Sequence, residues 1–199
     1  TNLESIYTIR ILLFIFLIPF NNMAQGLPFS SIPITAESYS AGTSISRMIQ
    51  GLGFRYYWAT EGLKAQDLSY RPSSEAQNTI ETIQHIFQLS KTILNAAKNN
   101  PSLRPAPNPP ADLSELRKAT LNDLKEAAAI FENSNEIQLE HLKIIFERGG
   151  GKQSKFPVWN LINGPIADAI YHTGQVVSFR RTSGNPIAKG VNVFLGVKN

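Results

Sequence analysis

The sequence KFPVWNLINGPIADAIYHTGQVVSFRR, residues 155–181, carries most of the information about the fold. If residues 162–180 are helical, one mostly apolar face recurs at the 3.6-residue period, made of Ile162, Ile166, Ala169, Ile170, Thr173 and Val177. Asp168 and His172 are four residues apart, so their side chains leave such a helix in the same direction, about one turn apart. The stretch predicts a bundle helix that presents a carboxylate and an imidazole together.

The start of this helix has two interpretations, because the sequence contains Gly164 followed by Pro165. Proline suits the first position of a helix, so the helix can begin there. It can also begin near Val158 and bend at the proline. The segment Ser183-Gly184-Asn185-Pro186 ends the helix, and the tail after it is expected to form a strand-like flap or an extended wrap.

Three further helices precede this one. Apolar side chains spaced by three and four residues predict helices over residues 41–62, 73–98 and 112–133. Ser73 or Ser74 is the expected cap of the second, and Asp112 or Ser114 of the third. Together the four stripes predict an all-α protein, a four-helix bundle formed by a single domain over residues 26–199.

Two connections depart from the helical pattern. Residues 99–110, NNPSLRPAPNPP, cannot be helical and form a proline-rich crossover long enough for the second and third helices to lie parallel. Residues 139–159 combine a β-rich run, three glycines and a second apolar run, which predicts a small hairpin before the fourth helix.

Composition narrows the class of protein. Of the 199 residues, 42% are hydrophobic and 17% are charged, as in a globular domain. The net charge of +4 comes from scattered residues rather than from a basic stripe interleaved with aromatics, which argues against nucleic acid as a partner. The absence of cysteine excludes disulfides, thiolate ligands and a cysteine nucleophile.

The N-terminus predicts export. Arg10 precedes the ten-residue apolar run ILLFIFLIPF, and small residues follow at Ala24 and Gly26. This order is typical of a cleaved signal peptide, here residues 1–25, and the run is about half as long as the ~20 residues of a spanning helix. We expect a periplasmic or secreted protein without a stable membrane anchor after cleavage. An uncleaved anchor or a buried helix is the alternative.

The candidate chemistry is metal binding. The chain has three histidines. His85 lies on the flank of the second predicted helix, whereas His141 falls in the first half of the predicted hairpin, where a structural role is expected. Two histidines and one carboxylate form a ligand set for catalytic zinc or non-haem iron. His85, Asp168 and His172 are therefore the predicted metal ligands.

Other chemistries have weaker support. There is no Ser-His-Asp spacing, and GGGK lacks the strand and the Ser/Thr of a phosphate-binding loop. Tyr57 and Trp58 belong to an aromatic cluster that indicates core or groove wall. With Gln175, they are the candidate pocket residues.

The segments ETIQHI (residues 81–86) and PIADAIYHTGQ (residues 165–175) carry a resemblance to a known family. Over residues 41–181 the chain resembles the DinB-like metal-binding four-helix bundles, which use one histidine from the second helix and a His-x-x-x-His pair from the fourth. On this resemblance His85 and His172 match the first and last ligands, and Asp168 occupies the middle position. It implies an up-down-down-up bundle with a long crossover.

The resemblance implies a divalent metal, with zinc, nickel and iron all open, and an unknown small molecule as partner. Known members include thiol-dependent transferases and isomerases. Three functions remain open: a metal-dependent transferase or hydrolase that activates water or a thiol, a non-catalytic metal-stabilised binding module, and a metal-free structural bundle. A homodimer is also open, and no individual catalytic residue is assigned.

Overall fold

The computed structural model describes residues 26–36 and 38–199, so the predicted signal peptide lies outside the described residues. The helices are α1 (Ala41–Thr60), α2 (Ala65–Ser69), α3 (Thr79–Ala97), α4 (Leu113–Glu132), α5 (Glu136–His141), α6 (Trp159–Leu161) and α7 (Ala167–Thr182). The strands are β1 (Pro101–Arg104), β2 (Lys143–Arg148), β3 (Lys152–Pro157), β4 (Val191–Asn192) and β5 (Val197–Lys198). The protein is therefore mainly helical, as predicted.

The long helices begin at side-chain caps. Ser40 caps α1, and the Asp112 side chain accepts a hydrogen bond from the backbone of Glu115 at the start of α4. At α3 the side chain of Asn78 accepts from the backbone N–H of Glu81 at 2.9 Å, and the Glu81 carboxylate accepts from the backbone N–H of Asn78 at 2.8 Å. This reciprocal capping starts the helix later than the serine cap predicted from the sequence.

The core lies among α1, α3, α4 and α7. Helices α1 and α3 each pack against both α4 and α7. Burial of their apolar faces is the main source of stability. Fully buried side chains from the four helices include Ile49, Leu52, Tyr56, Ile83, Ile86, Leu121, Leu124 and Val176.

Specific contacts fix how neighbouring helices meet. A Cβ atom on Gly42 would collide with the backbone oxygens of Phe131 and Ser134, so the start of α1 lies against the end of α4. Lys91 forms an ion pair with Asp123 at 2.9 Å, and Lys98 forms one with Glu126 at 2.7 Å. The residues of α3 therefore meet those of α4 in the same order along both helices.

A small sheet packs against α3. Strands β2 and β3 form the predicted hairpin, and β1 pairs with β2 in parallel. The all-α prediction therefore needs correction: the proline-rich crossover contributes a strand, and β4 pairs with β5 in the tail. Parallel pairing joins segments far apart in sequence, which the local pattern of the crossover does not reveal.

His141 needs a second correction. It is the last residue of the short helix α5, before the hairpin rather than in its first half. Asn135 caps this helix by accepting a hydrogen bond from the backbone of Gln138 at 2.9 Å. The cap adds a helical turn where the sequence predicted the hairpin to begin.

The fourth long helix follows the second of its two interpretations. It begins after Val158 with α6, continues through a π-helical turn (Ile162–Ile166) that contains Pro165, and becomes α7. Gly164 has φ −96° and ψ −108°, outside the helical region, and this is where the segment bends. Among the described residues, no helix is both long and apolar enough to cross a bilayer.

Candidate metal centre

His85 reaches the site from α3. It lies in the second turn of this helix, and its neighbours Ile83 and Ile86 are fully buried in the core. The capping box at Asn78 and Glu81 fixes the start of the helix one turn earlier. The position of the imidazole therefore depends on a well-anchored helix rather than on a loop.

Asp168 and His172 reach the site from α7. Asp168 is in the first turn, where the positive end of the helix dipole favours a carboxylate. Ala169 follows Asp168, and Thr173 follows His172; both are buried against the bundle. Asp168 and His172 are therefore directed to the side of the helix near α3. The i, i+4 spacing thus brings the two side chains together as the sequence predicted.

The three side chains meet around the carboxylate. Asp168 Oδ2 lies 3.4 Å from His85 Nε2, and Asp168 Oδ1 lies 3.2 Å from His172 Nε2. The two imidazole rings are perpendicular, with centroids 4.7 Å apart. One ligand atom from each residue lies within 4.8 Å of the other two.

Gln175 sets the hydrogen-bonding state of His172. The Nδ1 atom of His172 lies 2.7 Å from Gln175 Oε1. Because an amide oxygen only accepts, Nδ1 is the donor, and in the neutral ring the lone pair is on Nε2, facing Asp168. The sequence placed Gln175 in a pocket wall, and its spacing of three residues from His172 was the signal for this contact.

The three side chains lie close enough together to surround one divalent ion. Ligand atoms held about 2.0–2.2 Å from zinc in a tetrahedral arrangement lie about 3.3–3.6 Å from one another. The contacts of Asp168, at 3.2 Å and 3.4 Å, are near that spacing but come from its two separate oxygens, and one ligand atom from each of the three residues lies within 4.8 Å of the others. The donor set, two imidazole nitrogens and a carboxylate, is also one that zinc or iron accepts.

The site is accessible from one side. The exposed fractions of the side chains are 17% for His172, 35% for His85 and 44% for Asp168. The ring of Tyr171, itself exposed, lies 5.3 Å from that of His172. An ion held by three protein ligands here would keep coordination positions open to solvent or a substrate.

The other candidate residues lie elsewhere. Tyr57 packs under the guanidinium of Arg117, with 4.6 Å between the group and the ring centroid, and the Trp58 indole donates to the Ser30 carbonyl at 3.2 Å. Their role as pocket residues stays a prediction. His141 is not among the three clustered side chains.

A cavity of ≈ 540 Å³ lies between the start of α1, helix α5 and the connection from β3 to α6. Most of its wall is apolar, and Lys143, Glu136 and Glu140 lie among the lining residues. Its apolar part includes Ile45, Met48, Leu139, Val158 and Ile162. The sequence analysis did not identify this cavity, because its wall combines three separate segments of the chain.

Comparison with known proteins supports the fold. No family profile and no curated protein matches the sequence. Among solved structures, the chain is similar to the crystal structure of a DinB-like protein, YjoA, from Bacillus subtilis. The TM-score is 0.54 at 17% identity, covering 71% of this chain and 92% of that one. At this identity the similarity establishes the fold alone: the chain has a DinB-like fold.

Proposed function

We propose that this chain binds one divalent metal ion through His85, Asp168 and His172 and acts as a metal-dependent transferase or hydrolase. The observation that carries the proposal is that two hydrogen-bond acceptors, one on His172 and one on Asp168, face each other. His172 donates through Nδ1 to Gln175, so its Nε2 lone pair faces a carboxylate oxygen 3.2 Å away. Two acceptors at this distance need a cation between them, either a proton or a metal ion.

The ligand set narrows the identity of the metal. Two imidazoles and one carboxylate suit zinc, nickel or non-haem iron better than magnesium or calcium, which prefer oxygen ligands. A bound metal would act as a Lewis acid and lower the pKa of a coordinated water to about 7. Gln175 accepts from Nδ1 of His172, which leaves Nε2 of the neutral ring to face the site.

Metal analysis of purified variants tests the proposal. His85→Ala, Asp168→Ala and His172→Ala should each lose most of the bound metal, because each removes one of three protein ligands. His141→Ala is the matched control, since this histidine ends α5 outside the cluster and should leave metal content unchanged. Equal metal content in all four variants would contradict the proposal and favour a metal-free structural bundle.

The ≈ 540 Å³ cavity supports a second candidate, a non-catalytic binding module. Its volume and apolar wall are typical of sites for small molecules. If the metal only stabilises the bundle, ligands should bind this cavity with equal affinity in wild type and in His172→Ala. A ligand whose affinity depends on the metal would instead favour the enzyme.

We also infer that the four long helices run up-down-down-up. The start of α1 meets the end of α4, α3 and α4 meet in the same order, and Arg180 near the end of α7 bonds to the end of α1. Cross-linking of cysteine pairs tests this. A pair at Lys91 and Asp123 should cross-link, as should one at Lys98 and Glu126.

We further propose that the protein is exported and that residues 1–25 are removed. The support is Arg10 followed by a ten-residue apolar run. N-terminal sequencing of the protein from its native host should begin between Gln25 and Leu27. Retention of residues 11–20 in the mature protein would contradict export with cleavage.

A further inference from the structure

Three positive charges lie side by side at one end of the sheet. Arg104 on β1 is opposite Arg148 on β2, which is opposite Lys152 on β3. We call these three residues the basic row. Like charges directly opposite each other on neighbouring strands destabilise a sheet. The arrangement therefore costs folding free energy unless something else offsets the repulsion.

The surrounding residues leave this charge uncompensated. Among the described residues, no carboxylate forms an ion pair with any member of the basic row. Arg148 donates to the Ser154 hydroxyl at 3.1 Å, and Arg104 stacks on the ring of Phe146, 4.4 Å from its centroid. Burial and the charge of Arg148 lower the pKa of the Arg104 guanidinium, a direct consequence of placing the two cations together.

The sheet points the basic row toward the candidate metal centre. The side chain of Asn95 donates to Ser102 at 3.1 Å, and Arg104 donates to Thr92 at 3.4 Å, so β1 runs back along α3 toward lower residue numbers. Thr92 is seven residues after His85, which places the two on nearly the same face of α3, about 10 Å apart along its axis. Arg104 therefore lies about that distance from His85 along α3, and Arg148 and Lys152 lie one and two strands further across the sheet.

The turn beside the basic row leaves it open. Residues Gly149–Gly151 connect Arg148 to Lys152, and Gly150 and Gly151 have φ values of 77° and 73°, a conformation that favours glycine. Nothing lies within 4 Å of the Cβ positions that these glycines lack. A ligand can approach the two flanking cations without meeting a turn side chain.

We propose that the basic row binds the anionic group, a phosphate or a carboxylate, of a small molecule whose other end reaches His85, Asp168 and His172. Guanidinium groups bind both anions through paired, charge-assisted hydrogen bonds. This inference rests on the proposed metal site and adds the substrate class: an organic anion with its charge at least about 10 Å from the group that reacts.

The first experiment tests the basic row without metal. Phenyl phosphate and benzoate are titrated by calorimetry into the protein in the presence of a chelator. The double variant Arg148→Gln/Lys152→Gln should weaken binding of the preferred anion about tenfold or more, because it removes two of the three cations that would form charge-assisted hydrogen bonds with the anion. The comparison of the two probes shows whether phosphate or carboxylate is preferred.

Lys155→Gln is the matched control. Lys155 is an exposed lysine on the same strand as Lys152, but it pairs with Ile145 and points to the opposite face of the sheet. It should change binding less than twofold. Equal weakening by Lys155→Gln, or no anion binding by the wild type, overturns the proposal. Circular dichroism should show the double variant folded, because removing two of three repelling charges does not disturb the core.

The second experiment tests the link to the metal site. Acetohydroxamate and the monohydroxamate of suberic acid both offer a metal-chelating group, but only the second carries a distant carboxylate. On metal-loaded protein the second should bind about tenfold more tightly, and the double variant should abolish this difference. Equal affinities for the two probes overturn the link. Protein that takes up no metal contradicts both the link and the proposed function, whereas the first experiment still decides whether the basic row binds anions.

Discussion

The two ends of α7 hold polar side chains in opposite ways. In its first two turns, Asp168 and His172 are partly exposed, and their acceptor atoms face each other. Near its last turn, Arg180 is only 3% exposed and donates to the carbonyl oxygens of Ala59 at 3.0 Å and Glu61 at 2.7 Å. The same helix thus carries an incomplete polar cluster at one end and a complete one at the other.

The complete cluster serves the fold. The last carbonyl groups of α1 have no hydrogen-bond donors within that helix, and the Arg180 guanidinium donates to them. Its positive charge also offsets the negative end of the α1 dipole. Its Nε also donates to the Asn185 carbonyl at 2.8 Å. Within the described residues no buried side-chain nitrogen or oxygen lacks a partner. The difference between the ends teaches that the facing acceptors at the exposed end, unlike the carbonyl groups at the buried end, still need a proton or a metal ion between them.

The largest effect is expected at the complete end. Arg180→Ala leaves several buried carbonyl groups without donors and should lower the free energy of unfolding by about 3–5 kcal/mol, since each such group costs about 1–3 kcal/mol. Chemical denaturation measures this. Arg181→Ala is the control, because this neighbouring arginine is exposed and should change stability by less than about 0.5 kcal/mol. Similar losses in both variants would remove the contrast between the two ends.

The next effect is stabilisation by metal at the incomplete end. A ligand that binds only the native state at 100 times its Kd stabilises it by about 2.7 kcal/mol. Adding zinc to the metal-free protein should therefore raise its Tm, and His172→Ala should abolish the increase. Asp168→His, which introduces the three-histidine set of the resembled family, should retain it. An equal Tm increase in His172→Ala would show that zinc binds elsewhere.

A smaller effect is expected at Gln175, which contacts His172 but is not one of the three proposed ligands. Gln175→Ala should lower metal affinity about 10- to 100-fold, as removal of hydrogen-bond partners of ligating histidines typically does. Competition with a chromophoric chelator measures it. Gln175→Glu keeps an acceptor for Nδ1 and should restore most of the affinity. Unchanged affinity in the alanine variant would show that the His172–Gln175 contact does not support the site.

The smallest effect concerns pH at the structural end. Burial alone would raise the pKa of Asp67, which is 1% exposed. Hydrogen bonds from Ser183, Asn185 and the Lys64 backbone, with the charge of Arg180, outweigh burial and lower its pKa below the ordinary 3.8. A depressed carboxyl pKa stabilises the fold above the unfolded value and loses that contribution as pH falls through the folded value.

Asp67→Asn should therefore flatten the acid limb of the stability curve. The wild type should lose free energy of unfolding as pH falls below about 4, and the variant should lose less over the same range. Urea denaturation between pH 7 and 3 measures the slopes. Equal slopes would assign the acid sensitivity to other carboxylates.

The sequence predicted the ligand cluster better than its surroundings. His85, Asp168 and His172 could be proposed because helical spacing is local and the resemblance connected the two helices. The contact between Gln175 and His172 lies at helical spacing as well, but its role depends on a rotamer that no spacing reveals. The metal-binding role of all three remains a proposal.

The fold was predictable where the pattern was periodic and less so elsewhere. The helical stripes predicted α1 and α4 within two residues of their ends. The strand β1 was not predicted, because a proline-rich segment has no strand pattern until β2 pairs with it. The start of α3 was misplaced because Ser74, with Gln77 three residues later, fits the capping pattern as well as Asn78 does with Glu81, and the structure uses the second pair.

The π-helical turn Ile162–Ile166 controls the helical phase of everything that follows it. Each residue of an α-helix rotates the chain by about 100°. A π turn is closed by hydrogen bonds between residues five apart rather than four, so it contains one more residue than an α turn. Deleting one of its five residues would therefore leave the sequence of α7 intact but rotate Asp168 and His172 by roughly a quarter turn relative to Leu161. The angular position of two predicted ligands is thus encoded in the length of a segment that contains neither of them.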